Sequence, residues 1–306
     1  MSDRSYRLAT YAASDGQARA GIVVDERVVD VAPSVLEVLR SWPEFAAKLP
    51  QMARSVRRKD AAVRTVSLSS VKLLAPILYP GTIFCAGANY KDHVLEMSRA
   101  LNLPPEPDPH ELGLKPWHFI KAAAQSVRGT GSRVALPAYS RKVDWEAEIA
   151  VVMGRECRNV GLEDALQYVA GLTIANDLSA RDHLKRDGIA AESPFKFDWV
   201  SQKCFDGALP LGPWIVPLDE VGDVGNLGIR LWVNDELMQD SSSSNLIFTM
   251  AEQIAHLSTR LTLMPGDVIA TGTPAGCGAA RGRFLQAGDR VRVWVENIGE
   301  LTTEFT

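Results

Sequence analysis

Two glutamates stand one residue apart in "VDWEAEIAVVMG" (143–154). Side chains of an extended chain alternate between faces, so Val143, Trp145, Ala147, Ile149, Val151 and Met153 share one face. Asp144, Glu146, Glu148, Ala150 and Val152 share the other, which starts acidic and ends apolar and so does not suit a simply solvated surface. At ~3.3 Å per residue, the Cα atoms of Glu146 and Glu148 lie roughly 6.5–7 Å apart. Both carboxylates can converge from there on one ion at about 2.0–2.6 Å. A divalent cation would relieve the repulsion that otherwise raises a carboxyl pKa. The best third ligand is Asp177, where the apolar run "GLTIA" ends in "ND". An all-oxygen set suits Mg²⁺, Mn²⁺ or Ca²⁺ more than zinc. Taken alone, Glu-x-Glu also fits a half-exposed edge strand with solvated glutamates.

His93 and Glu96 are three residues apart and would share a helix face. A carboxylate beside an imidazole orients it and raises its basicity, which equips it to take a proton from water. A surface ion pair is the plainer alternative. Lys121 in "HFIKAAA" and Lys203 in "SQKCF" lie among apolar or small residues. An ammonium near a metal site can hold a carboxylate or enolate oxygen, although most lysines are surface lysines. "TGTPAGCG" (271–278) is glycine-rich but lacks the Gly-Lys-Ser/Thr ending of a P-loop. It reads either as a turn between strands or as a nest of N–H groups, Gly272 among them, which grips a substrate carboxylate with the Thr273 hydroxyl. Arg181 and Asp182 in "SARD" read as an ion pair bracing the Asp177 loop, with Arg181 also a candidate ligand contact. Gln202 is a candidate hydrogen-bond partner for a substrate oxygen. His110 and His118 are candidates to line a lid, while His183 and His256 read as structural or exposed.

These residues must be positioned by a chain of 306 residues, 46% of them apolar, enough to bury a sizeable core. The net charge of −4 gives no basic patch for nucleic acid or membrane. Cys85, Cys157, Cys204 and Cys277 fall in no zinc or CxxC spacing, and a reduced, cytoplasmic protein is expected. No apolar run follows Arg4 and Arg7, so a secretory signal is not expected, and no stretch reaches the ~18 residues of a membrane span. "YRLATYAA", "ARAGIVV" and "RVVDVA" read as strands, followed by a helical stretch with Val35, Leu36, Leu39, Phe45 and Leu49. Residues 1–70 are therefore expected as a small N-terminal β/α domain, with 54–70 as its linker. Residues 71–306 follow, with many strand signals, a hairpin at "VNDELMQ" and one good helix at about 246–261 capped by a Ser or Asn. Many strands with few helices point to a β-rich α+β domain.

"GANYKDHVLEM", "VDWEAEIAVVMGR", "VAGLTIANDLSARD", "QKCFDGALPLGPWIV", "LWVNDELMQ" and "LMPGDVIATGTPAGCG" occur in that order. Together they resemble the fumarylacetoacetate hydrolase superfamily over about residues 76–306. The resemblance implies a mixed β-sandwich roll, a homodimer, and Mg²⁺ or Mn²⁺ on Glu146, Glu148 and Asp177, with Ca²⁺ able to stand in within a crystal. It implies that His93 and Glu96 activate water at the start of a lid at about 91–115. It also implies that Lys203, Lys121 and the Thr273 loop meet substrate. Relatives often carry Pro after the first lysine, where this chain has Ala122. The activity implied is metal-dependent hydrolysis of a C–C bond in a 2,4-diketo acid of the acylpyruvate type, giving pyruvate and a carboxylic acid. Within the family, decarboxylation of oxaloacetate or isomerisation of an unsaturated diacid uses the same enolate. Outside it stand a glycosidase using the Glu146–Glu148 pair and a non-catalytic metal-binding module.

Overall fold

The computed structural model describes residues 5–306, so Arg4 lies outside the described residues. The structure is a strand-rich α+β fold built around a twelve-stranded mixed sheet. The central path of that sheet runs Arg7–Ala12, Leu209–Pro217, Val169–Asn176, Ala147–Met153, Val268–Ala270, Ile83–Ala86 and His118–Lys121. A five-stranded sheet carries Glu236–Ser242, Gly228–Val233, Arg290–Val295, Gly299–Phe305 and Ser132–Val134.

Alternation along the Glu-x-Glu strand explains the packing. Ile149, Val151 and Met153 enter a core shared with Leu231 and Val293 of the five-stranded sheet. Ala150 and Val152, on the other face, enter a second core with Leu8, Ile22 and Leu39 from the first forty residues. Each fully buried aliphatic side chain contributes about 1.5–3 kcal/mol, so the strand is held from both sides and every residue from Ala147 to Met153 is buried. The expected strands at the start of the chain form, and Arg7–Ala12 pairs with Leu209–Pro217. The N-terminal region thus shares a sheet and a core with the rest of the described chain.

Three local expectations need correction. Residues 54–70, read as a linker, form the end of the helix Trp42–Arg57, a turn, the short strand Val66–Ser67 and a 3₁₀ turn. Its buried Val56 belongs to the second core, which outweighs the weak patterning of the segment. The later helix is Met250–Arg260, and its cap is Thr249, not a member of the serine run. Thr249 accepts from the Glu252 N–H while Glu252 accepts from the Thr249 N–H, a reciprocal arrangement that serines lacking a Glu three residues on cannot make. The serines instead end the strand Glu236–Ser242 and form a 3₁₀ turn. Finally, Arg181 and Asp182 do not pair. Arg181 bonds Asp144 and Glu146, whereas Asp182 accepts from Ser140 Oγ at 2.5 Å and the Arg141 N–H at 2.8 Å. The strand Ser179–Ala180 pairs with Val143–Asp144, which sets Arg181 beside Asp144, and Arg181 and Asp182 then open a 3₁₀ turn that carries Asp182 to the Ser140–Arg141 backbone. The expected hairpin does form, with Asn234 and Asp235 at φ 54° and 67°, the left-handed pair that a two-residue turn demands.

Candidate metal centre

Strand register gathers the acidic residues. Ala147 pairs with Asn176 and Glu148 with Ala175 in an antiparallel ladder. Positions 146 and 148 therefore share a face with 175 and 177. The ladder is extended one step by the Asp177 N–H, which donates to the Glu146 carbonyl at 2.9 Å. Carboxylate oxygens of Glu146, Glu148 and Asp177 lie within 4.8 Å of one another, and all three residues are buried.

Three cations border the cluster. Lys203 Nζ donates to Glu146 Oε2 at 2.8 Å and to Asp177 Oδ2 at 2.7 Å. Lys121 Nζ donates to Asp177 Oδ1 and to the Leu178 carbonyl, so it sits behind Asp177 and does not line the cavity. Arg181 bridges Glu146 Oε1 at 2.5 Å and Asp144 Oδ2 at 2.9 Å. Asp144 also accepts the N–H groups of Gly278 at 2.6 Å and Ala279 at 3.0 Å, which ties the glycine-rich loop to the site.

The two glutamates have opposite electrostatic fates. Burial would raise the Glu146 carboxyl, but Lys203 and Arg181 override it and hold it well below the usual carboxylate range. Burial pushes the Glu148 carboxyl well up, and Asp177 and Glu146 push it further. Glu148 accepts the Gly272 N–H at 2.8 Å. Gly272 has φ +105°, a conformation open to glycine, so its N–H orients a carboxylate of the cluster and is not left for a substrate. This donor set fits a divalent cation. It consists of buried carboxylate oxygens whose mutual repulsion is unrelieved at Glu148, and it contains no thiolate or imidazole.

A cavity of about 180 Å³ opens onto the cluster, and Glu146, Glu148, Arg181, Gln202, Lys203 and Thr273 line it. His93 lines it too, from the helix Lys91–Ala100. Burial pushes the His93 imidazole down despite Glu146 nearby, which favours its neutral form. Its Nδ1 is buried without a hydrogen-bond partner, as is Gln202 Oε1. Glu96 is on the same helix, but its Oε2 accepts the Gly276 N–H at 2.7 Å, and no hydrogen bond joins it to His93. Asp92 accepts from Ser241 Oγ at 2.6 Å, so the helix is docked on the loop and hairpin below it. Thr273 Oγ1 accepts from Gln239 Nε2 at 2.9 Å.

The remaining histidines lie elsewhere. His110 bonds Glu252 at 2.8 Å and pins the segment after the helix to the start of Met250–Arg260. His118 faces Gln253 at 3.4 Å, and His183 Nε2 bonds the Tyr139 carbonyl. Sequence reasoning missed the aromatic residues of the cavity, Trp117, Phe119 and Trp199. A signal was present, because a tryptophan stands four residues before each buried lysine, in Trp117–Lys121 and Trp199–Lys203. Trp117 directly precedes the strand His118–Lys121 and continues its pairing through the Gly87 N–H, and Trp199 opens the helix Trp199–Lys203, so in both cases that spacing keeps the two side chains on one side.

Comparison with known proteins places this geometry in context. The profile of the family described as Fumarylacetoacetate (FAA) hydrolase C-terminal matches residues 82–306. The mitochondrial oxaloacetate tautomerase fahd2 of Xenopus laevis is 36% identical over 307 residues, covering 97% of this chain and 89% of its own. The human mitochondrial oxaloacetate tautomerase FAHD2B is 40% identical over 250 residues, covering 80% of this chain and 73% of its own. Among solved structures, a maleylpyruvate hydrolase from Sphingobium sp. SYK-6, in complex with manganese(II) and pyruvate, superposes with TM-score 0.73 at 26% identity over 98% of both chains. A 2-hydroxyhepta-2,4-diene-1,7-dioate isomerase from Mycobacterium marinum gives TM-score 0.72 at 28% identity, covering 99% of this chain and 98% of its own.

Proposed function

The chain belongs to the fumarylacetoacetate hydrolase family, and from that premise we propose that it is a divalent-metal-dependent tautomerase of 2-oxo acids, interconverting their keto and enol forms. Glu146, Glu148 and Asp177 would hold Mg²⁺ or Mn²⁺. The ion, when bound, supplies Lewis-acid stabilisation of negative charge on a substrate oxygen.

The chain's own groups divide the remaining work. His93, whose neutral form burial favours, takes the proton from the carbon beside the keto group. Lys203 keeps its charge, because Asp177 and Glu146 outweigh the effect of burial, and that charge stabilises the enolate oxygen as it forms. Reprotonation on oxygen gives the enol, and the reverse sequence returns the ketone. The Thr273 hydroxyl and Gln202 are within the cavity to hold the substrate's oxygens. The observation that carries this reading is the His93 imidazole, its Nδ1 buried without a hydrogen-bond partner, lining the same cavity as the acidic cluster. Support comes also from the relatives that are named oxaloacetate tautomerases.

Hydrolysis of a 2,4-diketo acid is the second reading, and decarboxylation of oxaloacetate would share the enolate. Hydrolysis is favoured by the similarity to a maleylpyruvate hydrolase. It asks more of the site, since a water-activating pair needs Glu96 to hold His93, and Glu96 is engaged by Gly276. The test follows the enol of oxaloacetate spectrophotometrically with Mn²⁺, with Mg²⁺ and with EDTA, and analyses the products. Faster keto–enol equilibration that EDTA abolishes supports the tautomerase. Pyruvate as the main product, or no metal dependence, contradicts it.

A further inference from the structure

Beside the ionic end of the cavity stands an aromatic cluster that the proton-transfer chemistry does not use. Trp199 stacks on Phe119 with centroids 5.4 Å apart and planes 20° from parallel, and it meets Trp117 edge-on at 5.4 Å. Lys203 Nζ lies 4.7 Å from the Phe119 ring centroid, so the cluster directly adjoins the acidic centre. Trp117 is packed tightly against Gly87. A Cβ at Gly87 would lie 1.9 Å from Trp117 Cζ2, and the Gly87 N–H donates to the Trp117 carbonyl at 3.2 Å. Yet Trp117 and Trp199, both of which line the cavity, remain 46% and 38% exposed.

Charge narrows what can lie there. The cationic side chains lining the cavity among the described residues are Arg181 and Lys203; both pair with the carboxylate cluster, and Lys203 is the one assigned to the enolate oxygen, so neither is left for a second carboxylate. A second carboxylate at the far end of a substrate would meet ring faces, whose quadrupole is negative. A flat uncharged group would instead bury apolar area and stack. Residues 101–115, the part of the expected lid that follows the helix Lys91–Ala100, contribute none of the lining side chains.

We propose that Trp117, Phe119 and Trp199 form the subsite for the group carried beyond the keto function, and that they select 2-oxo acids ending in a planar uncharged group, aryl or alkenyl, over dicarboxylates. This rests on the reading that the cavity takes a 2-oxo acid. The test compares phenylpyruvate with oxaloacetate in the Mn²⁺-loaded enzyme, in Trp199→Ala and in Trp199→Phe. Wild type should show the higher kcat/KM with phenylpyruvate. Trp199→Ala should lower the ratio of the two kcat/KM values by about tenfold, as expected for an aromatic contact with its buried area, and Trp199→Phe should restore most of it. A ratio unchanged in Trp199→Ala, or a wild-type preference for oxaloacetate, would overturn the proposal. If wild type turns over neither acid, the 2-oxo acid reading fails on its own, and calorimetric binding then judges the subsite. Phenylpyruvate binding that Trp199→Ala weakens supports it, while binding that is absent or indifferent to the substitution overturns it.

Discussion

The Lys203 ammonium donates to Glu146 Oε2 at 2.8 Å although the two residues are 57 positions apart, and both side chains are nearly inaccessible to water. The same ammonium reaches Asp177 at 2.7 Å. Removing one partner of a buried ion pair costs about 3–5 kcal/mol because it leaves an uncompensated charge. Lys203→Met should therefore lower the Tm of the metal-free protein by several degrees. Mn²⁺ should return much of that loss by taking over the charge compensation. Thermal unfolding with and without Mn²⁺ measures both effects, and an unchanged Tm in the metal-free variant would refute the pairing.

His93 lines the cavity without belonging to the acidic cluster. His93→Ala should reduce keto–enol exchange by at least about 10²-fold, the usual contribution of a positioned base. The rise in Tm on adding Mn²⁺ should persist in this variant. Loss of both together would place His93 among the ion's supports instead.

Glu96 braces the glycine-rich loop through the Gly276 N–H. Glu96→Gln keeps an oxygen acceptor and should retain activity within a few-fold. Glu96→Ala strands a part-buried donor and should cost roughly 1–3 kcal/mol of stability. Paired denaturant and rate measurements decide the matter. A large rate loss in Glu96→Gln with full stability would mark the carboxylate as the partner of His93 during the reaction.

His118 gives a pH signature. Burial pushes its imidazole down from the ordinary 6.5 to about 4. Because the folded pKa is the lower, the unfolded chain binds the proton first as pH falls. The associated stability is complete above about pH 6.5 and is lost progressively as pH falls toward 4. His118→Gln should flatten part of the decline in Tm across that window, and an identical decline in both proteins would contradict it.

Much of the site could be read from period and composition. The two-fold alternation of 143–153 assigned both faces correctly, because a strand buried on both sides has no freedom to slip register. Asp177 was legible because a polar pair ends an apolar run. Pairings set by tertiary contact were not legible. Nothing local distinguishes Arg181–Asp144 from the adjacent Arg181–Asp182, and only the Val143–Ala180 ladder decides between them. Glu96 and Gly272 turned to other partners for the same reason, since their bonds link segments more than a hundred residues apart in sequence. The Trp-x-x-x-Lys spacing carried information that went unread, because it repeats on a strand and on a helix.

One titration bears most directly on the whole account. Calorimetry with Mn²⁺ on the EDTA-stripped protein, in parallel with Glu146→Gln, Glu148→Gln and Asp177→Asn, measures whether these three side chains share an ion. The expected result is one ion per chain in the wild type and an affinity weakened at least about 10-fold in each variant, since each removes one charged oxygen ligand. Binding to wild type that is absent, or that persists unchanged in all three variants, would contradict a metal centre built on this cluster.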